Sequence, residues 1–101
     1  MSNASRPYKE GLLKSLKDPN ESAAYLSAAL EDGSPEVFLL ALRNVAEAHG
    51  MTNVAEGAQL NRVSMYRMLS QQGNPQLDSL SAVLHQLGLR LAVEVDDAVA
   101  A

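Results

Sequence analysis

The side chains with the most recognition chemistry cluster in MTNVAEGAQLNRVSMYRML, residues 51–69. Arg62 and Arg67 each carry a guanidinium that matches guanine O6/N7 or a phosphate. Val63 offers an apolar contact for a thymine methyl, and Ser64 and Tyr66 offer hydroxyls to base edges or phosphates. Ser70 follows three residues after Arg67. Thr52 and Asn61 are expected helix caps, which would place helix-start amides where a phosphate fits. No acid occurs from Gly57 to Leu77, so the stretch is locally basic. Each of these residues also has a plain reading. The arginines suit solvated surface, Tyr66 suits partial core packing, and Asn61 caps a helix in either case.

Bond-making chemistry finds little support. His49 is expected at a helix end and His85 among the exposed positions of the last helix, isolated from one another in sequence. HExxH, GxSxG and P-loop spacings are missing. The paired acids Asp96 and Asp97 fall in a tail expected to be flexible. A sequence without cysteine forms no disulfide and no thiolate metal site. The expectation is a binding protein without enzyme activity, cofactor or metal.

The elements that must position these residues read as a short helix over 53–58, a turn, and a second helix over 62–71. That helix-turn-helix arrangement lays a recognition helix in a DNA major groove. Ala55 holds the small position where two helices cross, and Val54, Ala58, Leu60, Met65 and Leu69 supply packing. Two residues are locally unfavourable. Gly57 inside the first helix costs about 1 kcal/mol relative to alanine. Gln59 occupies a turn position where a left-handed residue, commonly glycine, is expected.

Around this unit the chain is helical. Residues 1–7 are polar and expected to be disordered. Tyr8, Leu12 and Leu16, with Leu13, form a short amphipathic stripe. Asp18-Pro19-Asn20-Glu21 starts a helix that runs to about Glu31, and Ser34-Pro35-Glu36 starts another that runs to about His49. Asp78 is expected to cap a last helix bearing Leu80, Val83, Leu84 and Leu87, with Gly88 as its stop. Beyond it Leu89, Leu91, Val93 and Val95 alternate with Arg90, Ala92 and Glu94, a strand pattern. A single strand seeks a partner edge, so these four apolar residues are the expected interface with a second subunit or with a sheet edge on another protein. The bland alternative is a disordered tail or an extended segment laid on the helices. The expected fold is all-α: five to six helices with a short C-terminal β-strand, a domain over 8–95 and a flexible tail over 96–101.

At 101 residues the chain fits one domain, and 47% hydrophobic residues with 4% aromatics point to a core of Leu, Val, Ala and Met. No apolar run approaches the roughly 20 residues of a membrane span, and the N-terminus lacks a signal-peptide core. A soluble cytoplasmic protein without membrane association is expected. The formal net charge of −4 argues against a nucleic-acid partner, but its distribution outweighs its sum. The acids lie away from residues 57–77, and an acidic remainder suits either a basic protein partner or solubility.

The runs Leu16-Lys17-Asp18-Pro19, Ala24-Tyr25-Leu26-Ser27-Ala28-Ala29-Leu30-Glu31-Asp32-Gly33 and Val37–Ala48 resemble the addiction-module antidote proteins, HigA-like antitoxins of the lambda-repressor/Cro-like helix-turn-helix class. The resemblance continues through Met51-Thr52 and Gly73-Asn74-Pro75 to Leu87–Val93 and covers about residues 12–95. It implies a partner toxin, often a small RelE-like ribonuclease encoded beside the antitoxin, and repression of the shared operon. By that resemblance Arg62, Ser64, Tyr66 and Arg67 fall in the recognition helix. The expected assembly is a homodimer reading an inverted-repeat operator in double-stranded DNA. A stand-alone prophage-type repressor and a helical protein-interaction module without DNA binding are the alternatives.

Overall fold

Six helices and no strand form among the described residues, which in the computed structural model are 2–70 and 72–97, with side chains described for 7–70 and 72–97. They are α1 (Ser2–Ser15), α2 (Pro19–Glu31), α3 (Pro35–His49), α4 (Met51–Gly57), α5 (Arg62–Met68) and α6 (Leu77–Gln86). Caps, prolines and glycines account for several boundaries. Asp18 accepts the Asn20 N–H at 2.9 Å, and Pro19 opens α2. Gly33, at φ 83°, follows the end of α2, and Ser34 and Pro35 open α3 at once.

Several local expectations change. Helix α1 begins at Ser2 and contains Pro7, where the sequence suggested a disordered stretch up to residue 7. The apolar period starts only at Tyr8, and Tyr8 is itself 72% exposed, so the inward stripe reduces to the half-buried Leu12 and Leu13 and the buried Leu16. Thr52 is not a cap. Gly50, at φ 99°, ends α3 and starts α4 directly, which leaves Thr52 exposed in the first turn. Asp78 does not cap α6 either. Gln76 holds that position, and Asp78 accepts only from the adjacent Ser79 N–H, at 2.8 Å. The expected C-terminal β-strand is not formed: residues 89–96 are non-helical and make no strand pairing among the described residues. One copy offers no second edge for them. Most of the expected tail, residues 98–101, lies outside the described residues.

Helix α3 packs against α1, α2 and α4, while α4 also meets α5 and α6. Leu42, Val45 and Ala46 of α3, Met65 of α5 and Val83 of α6 have no exposed surface. Leu16, Leu69 and Leu87 close the core from the helix ends. This is the aliphatic interior that a chain with four aromatics must build. The one buried polar side chain among the described residues, Ser22, donates to the Leu16 carbonyl at 2.7 Å. His49 Nε2 lies 3.1 Å from the same carbonyl, so one backbone oxygen ties the α1–α2 turn to the end of α3.

The turn between α4 and α5 reuses the geometry that ends α6. After α6 the Leu89 N–H donates to the Leu84 carbonyl at 2.9 Å and the Gly88 N–H to His85 at 3.1 Å, with Gly88 at φ 79°. After α4 the Leu60 N–H donates to Ala55 at 2.8 Å and the Gln59 N–H to Glu56 at 3.1 Å, with Gln59 at φ 61°. Both are paired 6→1 and 5→2 bonds around a left-handed residue. Gln59 therefore adopts the left-handed conformation expected at this turn position, at φ 61°. Gly57 lies under the end of the exposed Gln86 side chain of α6, which a Cβ there would displace.

A candidate nucleic-acid interface on α5

Helix α5 turns one face to the core and the rest to solvent. Met65 is fully buried and Leu69 follows it inward, so at 100° per residue Val63 and Arg67 point away from the core. Both are exposed, Val63 to 66%. Asn61 sets where the helix begins: its Oδ1 accepts the Ser64 N–H at 2.7 Å. That bond engages the amide oxygen and makes Asn61 a cap. Ser64 and Ser70 are half-buried, and the Ser70 hydroxyl donates to the Arg67 carbonyl at 2.8 Å.

Tyr66 packs sideways into the protein. Its ring is half-buried against the core and carries two guanidinium groups, Arg43 at 5.1 Å and Arg62 at 5.9 Å from the ring centre. Each stacking contributes about 0.5–1 kcal/mol at such a site. Arg43 also lies 3.8 Å from Glu47 on its own helix, and Glu47 lies 3.7 Å from Lys9 of α1. A chain of charge thus runs from α1 across α3 to α5. Arg62, Tyr66 and Arg67 share α5, Arg43 of α3 stacks on the Tyr66 ring, and Thr52 lies exposed on α4. Sequence reasoning missed Arg43, which sits 23 positions before Tyr66 with no local signal to link them.

A shallow cavity of about 340 Å³ flanks α5, lined by Ser64 and Arg67 and by Gln72, Asn74 and Gln76 of the α5–α6 connection. These three amide side chains are exposed. They too escaped the sequence reading, which used Gly73-Asn74-Pro75 only as part of the family resemblance. Gly73 shapes this connection, because a Cβ there would collide with the Met68 carbonyl.

A profile described as "Probable addiction module antidote protein" matches residues 9–95. The chain belongs to that family. An uncharacterized protein of Haemophilus influenzae (strain ATCC 51907 / DSM 11121 / KW20 / Rd) is 32% identical to it over 79 residues, covering 78% of this chain and 81% of the relative. No solved structure matches. An antidote implies a toxin to oppose, so membership in this family points to a toxin partner. No helix among the described residues is long and apolar enough to cross a membrane.

The expected second interface is the segment after α6. Leu89 is half-buried against the core, while Leu91 is 44%, Val93 99% and Val95 76% exposed. Leu89 and Leu91 also line an open groove of about 420 Å³ between this segment and α2.

Proposed function

We propose that the chain is the antitoxin of a type II toxin–antitoxin module and binds its own operator through α4, the Gln59 turn and α5 as a helix-turn-helix of the lambda-repressor-like class. Family membership carries the antitoxin half of this reading. The DNA half is supported by the outward face of α5, where Arg67 and Val63 are presented and no acid occurs from Gly57 to Leu77. Arg67 and Arg62 meet guanine edges or phosphates, Val63 meets a thymine methyl, and Ser64 lies within reach of the same groove. Gln72, Asn74 and Gln76 at the flanking connection contact the sugar–phosphate backbone, which fixes register without reading sequence.

One small domain with few cations binds weakly. A homodimer doubles the basic surface and sets two recognition helices about 34 Å apart on an inverted repeat. The C-terminal segment joins the two copies. The partner toxin is a small basic protein of the RelE-like ribonuclease kind, attracted to the acidic remainder of the surface. The antitoxin acts in the cytoplasm by binding, without catalysis of its own.

Footprinting the protein on the DNA upstream of its own gene tests the reading. Protection of an inverted repeat, lost as salt is raised, is the expected result. No protection of any native promoter fragment at low ionic strength overturns the DNA half. A neighbouring gene for a small basic protein, neutralised on co-expression, separates an antitoxin from a stand-alone repressor.

A further inference from the structure

The segment after α6 has a self-complementary pattern. Residues 89–95 read Leu-Arg-Leu-Ala-Val-Glu-Val. Folded about Ala92 onto an antiparallel copy of itself, the segment sets Leu91 opposite Val93, Arg90 opposite Glu94 and Leu89 opposite Val95. One face is then wholly apolar. The other carries two Arg–Glu pairs on either side of a small residue at the two-fold axis.

The surroundings match that arrangement. Among the described residues no backbone hydrogen bond involves residues 90–95, and neither Arg90 nor Glu94 has an ion-pair partner. Val93 at 99% exposure and Val95 at 76% stand off the body of the protein. Apolar side chains of Leu26, Leu30, Phe38 and Leu84 line the groove beside Leu89 and Leu91, with the charged Glu31, Arg90 and Glu94 also at its walls. In this register Val93 and Val95 of a second copy arrive next to Leu91 and Leu89, over the groove.

We infer that two copies of the chain associate by pairing residues 89–95 as antiparallel strands about Ala92, each inserting Val93 and Val95 beside the other's α2 groove. The inference rests on the dimer reading given above and specifies its register, charge pairing and apolar contact. The pairing satisfies backbone groups that are otherwise open, and cross-strand apolar and opposite-charge pairs stabilise it.

A charge-swap cycle on the full chain tests the register, with sedimentation and native mass spectrometry as readouts and circular dichroism to confirm folding. R90E sets a carboxylate against Glu94 of the second copy, and E94R sets a guanidinium against Arg90. Each single variant is expected to weaken self-association about tenfold or more, because two opposite-charge pairs become two like-charge pairs. The double variant R90E/E94R regains the wild-type dimer. Mixing the two single variants yields a heterodimer in preference to either homodimer, since every pair across it is then opposite in charge. Val93→Asp gives a monomer that remains folded. A double variant as weak as the singles, or no heterodimer on mixing, overturns the register. Wild-type chain that stays monomeric at tens of micromolar overturns the pairing itself. If that monomer still protects its promoter, the DNA reading stands. If a charge-dependent dimer forms and no promoter is protected, the pairing stands and the DNA reading falls.

Discussion

On the proposed reading, Arg67 is the residue whose removal is most informative. It is exposed and has no ion pair, ring contact or side-chain hydrogen bond among the described residues. Engaging DNA therefore requires no intramolecular contact to break. Arg62 differs, since it is held over the Tyr66 ring by a contact worth about 0.5–1 kcal/mol. Arg67→Ala should weaken operator binding by about 1–3 kcal/mol per half-site if the guanidinium reads a base. A dimer carries the change in both half-sites, so the loss for the full operator is roughly twice that. If Arg67 meets phosphates instead, the loss is less sequence-dependent, and the slope of log K against log salt flattens by about 0.9 per half-site, or about 2 per dimer. Fluorescence anisotropy on the native promoter and on a scrambled duplex, over about 50–200 mM salt, distinguishes the two cases. Stability should stay within about 0.5 kcal/mol of the parent, because the side chain supports no packing. An unchanged affinity together with an unchanged salt slope would remove Arg67 from the interface and weaken the case for α5 as the DNA-reading helix.

Three predictions concern the frame that holds α5. Gln59→Gly relieves a left-handed conformation worth about 1–2 kcal/mol and adds about 0.5–1 kcal/mol of unfolded-chain entropy. A net gain of about 0.5–1 kcal/mol in urea unfolding is expected, and a loss would mean that the Gln59 side chain contributes packing. Ser22→Ala should cost about 1 kcal/mol, since the Leu16 carbonyl keeps His49 as its remaining partner. The double variant with His49→Ala should lose more than the sum of the singles, which a double-mutant cycle reads directly. Gly73→Ala forces a Cβ against the Met68 carbonyl, so thermal melting should show a loss of about 2 kcal/mol or more; a neutral result would show that the connection relaxes freely.

What the sequence disclosed follows from how far apart the interacting groups lie along the chain. Asp18 with Pro19, Asn61 and Gly88 act within a few residues of themselves, and the structure finds them at the helix ends their types demand. The stripe of the last helix was equally plain from its period: Val83, Leu84 and Leu87 are buried and Leu80 is half-buried. Local rules failed where a neighbour competed. Thr52 is a good cap by type, but the left-handed Gly50 starts α4 two residues earlier. Asp78 lost its place to Gln76 by the same margin. Tyr8 fits the period of α1 yet lies beyond the core that the period addresses. No local rule reaches contacts such as Arg43 on Tyr66 or Gln86 against Gly57, which join residues more than twenty positions apart.

The Arg43–Tyr66–Arg62 stack links α3 to α5 in a way that bears on function. Tyr66 packs its half-buried ring against the core, the plain reading its type also allowed. It also holds two cations side by side. Arg43 is offset by Glu47, but Arg62 has no acid within ion-pair distance among the described residues. The net positive charge of the cluster is therefore displaced toward the start of α5, the end that a recognition helix presents to base edges. Replacing Tyr66 with leucine would keep much of the apolar packing while freeing both arginines. The anchored cations would become mobile ones, and DNA binding through them would then carry an added ordering cost.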